Sequence, residues 1–124
     1  MNMAGNDIFH IISTEISEGQ ITANVSVNSN TEIFKGHFPG QPVVPGACIV
    51  QLVKVVLEKA LGKNLILKKA ANIKFSQMIV PRDEQTLVLI IVYKTIDDRM
   101  LSVNAKLSEN DTVCFKLQGS FTLI

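Results

Sequence analysis

The stretch from Ala47 to Leu61 constrains this chain most. It is the one segment with the length and apolar content of a helix in a sequence that otherwise reads as strands. Apolar residues from Ala47 and Cys48 through Leu57 to Ala60 and Leu61 cover most of its circumference, and Gln51, Lys54 and Glu58 fall on one narrow strip. A helix patterned this way needs cover on most sides. Gly62 follows where a left-handed residue commonly ends a helix. The segment is too short and too often interrupted by charge to span a membrane, which takes about 18 uninterrupted apolar residues, so it reads as a buried helix of a soluble protein.

The segments that must supply the cover are rich in β-branched and apolar residues. Ile8 to Ile16 and Gln20 to Val27 read as two strands separated by Glu18-Gly19. After the helix come Leu65 to Val80, Thr86 to Ile96, Met100 to Leu107 and Thr112 to Leu123, punctuated at Pro81-Arg82-Asp83, Asp97-Asp98-Arg99 and Glu109-Asn110-Asp111. Consecutive strands with short turns pair antiparallel, and one helix among them predicts an α+β fold in which a curved sheet wraps a central helix. The run Leu87 to Val92 is apolar at every position, the pattern of a central strand covered by the helix on one face and a partner on the other. At 124 residues, with no repeat or linker, the chain reads as a single domain over 1–124.

Charge and cysteine usage narrow the function classes. Twelve basic and eleven acidic residues give a formal charge of +1, too little to recruit nucleic acid by its overall field. Cys48 and Cys114 do not make a disulfide framework or a zinc cluster, which fits a reducing cytoplasm, and Met1 to Asn6 shows no basic n-region followed by an apolar run. No metal-ligand spacing, phosphate loop or nucleophile elbow occurs.

Chemistry concentrates in one place. Between Gly36 and Gly46 the chain holds Gly36, Pro39, Gly40, Pro42, Pro45 and Gly46, a density that forbids regular structure. Proline fixes φ and glycine allows close backbone approach, so His37 sits in a preset loop that feeds directly into the helix. The first helical amides, near Gly46 and Ala47, lack intrahelical acceptors and carry the positive end of the helix dipole. A base with an ordinary pKa of about 6.5 beside a carbonyl-polarising helix terminus is the minimal equipment for removing a proton α to a carbonyl.

The sequence His37-Phe38-Pro39-Gly40-Gln41-Pro42-Val43-Val44-Pro45-Gly46 resembles the signature of the β-hydroxyacyl-acyl carrier protein dehydratases. Asn72-Ile73-Lys74-Phe75 and Val80-Pro81-Arg82-Asp83 resemble that family's strand and the turn that closes it. The resemblance implies the hot-dog fold, a sheet wrapped around one long helix. It implies catalysis by His37 with Gly46 and Gln51, and substrate contacts from Phe38, Pro39, Gly40, Val44, Pro45 and Ala47. It implies no bound cofactor and no metal: the acyl thioester arrives on the phosphopantetheine of acyl carrier protein or on coenzyme A, at a site shared across a homodimer or larger oligomer.

Two residues depart from the pattern. Gln51 stands where the family carries glutamate or aspartate, and an amide hydrogen-bonds but does not exchange protons near neutral pH. General acid catalysis contributes roughly 10²–10⁴-fold, so His37 must serve alone or draw a carboxylate from elsewhere. Glu58 lies roughly 10 Å further along the helix and is no simple substitute. Arg82 stands where the family turn has glycine. With Lys35, Lys63, Lys68, Lys69 and Lys74 it is a candidate for meeting an acidic carrier protein at the pocket mouth, against the plain alternative of solvated charge. Phe34, Phe38 and Phe75 are candidates for an acyl tunnel, against ordinary core packing. His10, Cys48 and Cys114 read as structural residues. Three functions stay open: a 3-hydroxyacyl-thioester dehydratase, an acyl-binding subunit of a hot-dog heterodimer, and a hot-dog thioesterase.

Overall fold

The computed structural model describes residues 8–29, 43–82 and 85–124. Its strands are β1 (Phe9–Ser17), β2 (Gln20–Val27), β3 (Leu65–Phe75), β4 (Thr86–Asp97), β5 (Met100–Glu109) and β6 (Thr112–Leu123). The one helix among them, α1 (Gly46–Leu61), falls where its apolar pattern predicts. The strands form a single antiparallel sheet in the order β1-β2-β4-β5-β6-β3. α1 packs on one face of it, touching β3, β1, β2 and β4.

Period-two alternation builds the sheet side of the core. Ile21, Ala23 and Val25 on β2 pair in register with Ile91, Leu89 and Leu87 on β4, and all six are buried. Ala105, Leu107, Phe115 and Leu117 extend the same face across β5 and β6. Cys48, Ile49, Leu52, Val53, Val56 and Leu57 enter from α1 to complete one cluster. A sheet curved around a helix is the architecture that the hot-dog resemblance implies.

α1 ends at Gly62, whose φ of 65° is left-handed and whose N–H donates to the Glu58 carbonyl at 2.8 Å. The β5–β6 turn places Asn110 and Asp111 at φ 50° and 67°, as a two-residue primed turn requires.

One expectation is corrected. The strand read as Leu65 to Val80 stops at Phe75. Beyond it the backbone leaves the ladder: Ser76 and Gln77 donate to the Cys114 carbonyl, and the Ile79 carbonyl accepts the Val44 N–H at 2.8 Å. Hydrogen bonding to the approach of α1 wins over strand propensity there, and Pro81, without an N–H, could not continue a ladder. On the outer face of β4, Val88 and Ile90 are half-buried and Val92 is 46% exposed in the single chain.

Candidate functional site at the helix N-terminus

α1 begins without a cap. Pro45, extended at φ −64° and ψ 141°, occupies the N-cap position; no side chain caps the helix, and no acidic residue lies in its first turn. The Pro45 carbonyl accepts the Cys48 N–H at 3.0 Å, so the Gly46 and Ala47 N–H groups precede the first such bond. The helix's own cap and first turn therefore do not offset the positive end of its dipole, and an oxygen bearing negative charge is the natural ligand for it.

A cleft of about 320 Å³ opens at this terminus, lined by Val44, Gly46, Ile49, Phe75, Met78 and Ile79 together with Ser76 and Gln77. Its walls come from two elements tied by the Val44–Ile79 hydrogen bond: the entry to α1 and the segment after β3. Phe75 lies across the opening. Its ring stacks on Phe115 with centroids 5.3 Å apart, and a Cβ added to Gly46 would lie 2.7 Å from its Cζ. Only glycine lets the ring approach the first helical residue so closely. Phe75 thus stands at the cleft; the motif had marked Gly46 for its amide, and nothing local in the sequence linked the two.

The other sequence-predicted residues divide. Val44 is buried, Gly46 is half-buried, and Ala47 is exposed beside Pro45, so these gather at the terminus. Gln51 follows one turn after Ala47 on the same strip of α1 and is half-buried. His37, Phe38, Pro39 and Gly40, with Phe34 and Lys35, lie outside the described residues. Lys63 sits past the other end of α1, roughly 24 Å away at 1.5 Å per residue, and does not border the cleft. Cys48 and Cys114 are buried free thiols whose pKa values are pushed up by burial, Cys114 additionally by the charge of Glu109, which matches packing rather than nucleophilic chemistry.

Arg82 is not a free charge at the mouth. It pairs with Glu109, whose carboxylate also accepts the Gln85 side-chain N–H at 2.9 Å. Gln85, buried, donates in addition to the Val80 carbonyl at 3.0 Å and accepts the Arg82 backbone N–H at 3.1 Å. This cluster fastens the segment that forms one cleft wall to the end of β5. Sequence reading missed it because Glu109, which joins Arg82 and Gln85, lies 24 residues beyond Gln85 at the end of a different element.

Among known proteins, the family model described as ApeI-like, ApeI dehydratase, matches residues 13–117. The chain belongs to the ApeI-like family. A 3-hydroxyacyl-acyl-carrier-protein dehydratase FabZ of Oenococcus oeni is 32% identical over 97 residues, covering 73% of this chain and 68% of that protein. The FabZ of Clostridium acetobutylicum is 36% identical over 74 residues, and there the chain spans about half of its relative, 52%. The solved dehydratase heterocomplex ApeI:P from Xenorhabdus doucetiae superposes with a TM-score of 0.73 at 20% identity, over 91% of this chain and 96% of that one. At that identity the likeness establishes the fold. This ApeI-like chain is a hot-dog protein of the dehydratase type.

Proposed function

We propose that this chain dehydrates 3-hydroxyacyl thioesters delivered on the phosphopantetheine of acyl carrier protein or on coenzyme A, in the cytoplasm, for fatty acid or related lipid or polyene synthesis. The observation that carries this reading is the uncapped start of α1 at the mouth of an apolar cleft, directly after the sequence motif that contains His37. The amides of Gly46 and Ala47 polarise the thioester carbonyl and stabilise the enolate that forms when the α-proton leaves. His37 takes that proton and returns one to the departing 3-hydroxyl, which leaves as water while the C2–C3 double bond forms. Val44, Pro45, Phe38, Pro39 and Gly40 frame the acyl chain, and Gln51 holds the hydroxyl by hydrogen bonding without supplying a proton.

The amide at Gln51 favours one second reading: a subunit that contributes His37 and its cleft to a hot-dog partner carrying the missing carboxylate. The similar fold solved as a heterocomplex is consistent with such an arrangement. A thioesterase ranks below both, because activating water calls for a carboxylate that α1 lacks at Gln51.

The test is interconversion of a 3-hydroxyacyl thioester and its 2-enoyl product, on carrier protein and on coenzyme A, followed by mass spectrometry. Turnover by the native protein that is lost in His37→Ala supports the one-histidine dehydratase. Silence from the native protein, with activity gained in Gln51→Glu, supports the partner subunit instead. Free acid released without enoyl product identifies a thioesterase.

A further inference from the structure

A hollow lies on the sheet face turned away from α1. It measures about 490 Å³, and its lining includes Asn72, Asn104, Gln118, Lys106 and Lys116 around the apolar Ile90 and Val92, while Lys74 stands beside it on β3. Strand register explains its chemistry. Lys106 on β5 pairs directly with Lys116 on β6, and Lys116 pairs directly with Lys74 on β3, so one row across three adjacent strands is entirely ammonium. The next row on the same strands reads Asn104, Gln118, Asn72, entirely amide. One row further, Ser102 pairs with Ser120 and Ser120 with Lys69.

Like charges placed directly opposite each other in a sheet are destabilising. Among the described residues, no carboxylate stands next to them in these rows. The outward positions of β5, β6 and β3 in these rows carry no acid, and Glu15, in the same row as the lysines, sits on β1 at the opposite edge of the sheet. A chain of net charge +1 thus concentrates positive charge on one patch. Strands lie roughly 4.8 Å apart, so the lysine row spans about 10 Å, and Lys69 lies about 13 Å from it along the strands, with the amide row between. That is the footprint of a small molecule rather than of a protein surface. Lysine ammonium groups bind phosphate as point charges, and carboxamide N–H groups donate to phosphate oxygens.

We propose that this hollow binds a small polyanion bearing two or more linked phosphate groups, held along the Lys106–Lys116–Lys74 row and the Asn104–Gln118–Asn72 row beside it. The site is on the opposite face from the start of α1, so it stands or falls independently of the dehydratase reading. Because the lysines are exposed, binding is salt-sensitive.

The test uses the full chain and tripolyphosphate, titrated by calorimetry at low salt and mapped by amide NMR shifts, with matched chloride as the ionic-strength control. The expected result is one saturable site, shifts centred on β5, β6 and β3 around Asn104, Lys116 and Asn72, and weakening with added salt. Lys116→Gln weakens binding about tenfold or more, the loss of one charge-assisted contact. Lys63→Gln, at the far end of α1, leaves it unchanged. Lys116→Gln also melts no lower than the native chain, since it relieves repulsion, and Lys106→Gln serves as a second variant. Unsaturable binding, shifts centred on Lys63 or Arg82, or unaltered affinity in both Lys116→Gln and Lys106→Gln overturns the site. Equal affinity for citrate, or binding only of polyglutamate, overturns the phosphate assignment.

Discussion

Glu58 shares its helical strip with Gln51, yet its task is different. One carboxylate oxygen accepts the Leu65 N–H at 2.8 Å, and its own backbone carbonyl receives the Gly62 and Lys63 N–H groups, so one residue closes α1 and starts β3. The strip reading made Glu58 a solvated charge; the structure makes it the tie between two elements, legible only once Leu65 is known to fold back beside it. Glu58→Ala is expected to lower unfolding free energy in urea by about 1–2 kcal/mol, as loss of a partly exposed charged acceptor should. Thioester turnover in that variant is expected to stay unchanged, because roughly 10 Å of helix separates it from Gln51. The cysteines give a second residue-level test. Burial raises both thiol pKa values in the folded chain, so below the ordinary thiol range both states are protonated and the folded state keeps its full stability. Above about pH 8.5 the unfolded chain ionises first and the folded state loses stability as pH rises. The double variant Cys48→Ala with Cys114→Ala is less stable at pH 7 but loses less between pH 8 and 10 in chemical denaturation.

The elements themselves were largely readable. α1, β2, β4, β5 and β6 lie where periodicity and turn residues set them, because each has one buried face and a short connection. β3 was misjudged in length, since a strand that ends by bonding to a distant carbonyl carries no local stop signal. Nor does its irregularity show in sequence: its register against β6 shifts twice, between Leu67 and Lys69 and between Ala70 and Asn72. Between the two shifts Gly119 faces Ala70, and a Cβ there would stand 2.2 Å from the Lys69 carbonyl oxygen, a backbone atom that cannot swing aside. Gly119→Ala is therefore expected to cost about 1–3 kcal/mol in denaturant unfolding, out of proportion to the methyl group added. Ser120→Ala, one residue on, should change stability by less than about 0.5 kcal/mol. Equal effects of the two would show that the bulged segment gives way.

At the scale of the whole molecule, the candidate cleft borders an open edge of the sheet, since Phe75, the last residue of β3, lines it. The motif from His37 to Gly46 and the uncapped helix start were legible as chemistry; whether a second copy adds to them was not, because a single sequence does not state contacts between chains. The sheet has one edge that suits pairing with a second copy. β3 is an edge strand of 11 residues, paired on one side only, with residues Lys68 to Phe75 exposed. Ile73 and Phe75 point to the same face as their partners Leu117 and Phe115, which are buried, yet they remain 37% and 54% exposed. Met78 and Val80 continue this apolar surface past the strand, at 77% and 45% exposure. A long unpaired edge bordered by apolar side chains favours strand addition, and a second copy paired along β3 would cover Phe75 and the mouth of the cleft together. Light scattering at micromolar concentration is then expected to give twice the 13.6 kDa chain mass. Ile73→Lys, which puts charge into that seam while leaving the buried core intact, should raise the dimer dissociation constant about tenfold or more without lowering helix or sheet signal in circular dichroism. It should also reduce thioester turnover in parallel with dimer content. A native chain that is monomeric, or a dimer indifferent to Ile73→Lys, would move the association surface away from β3 and leave the cleft to one chain alone.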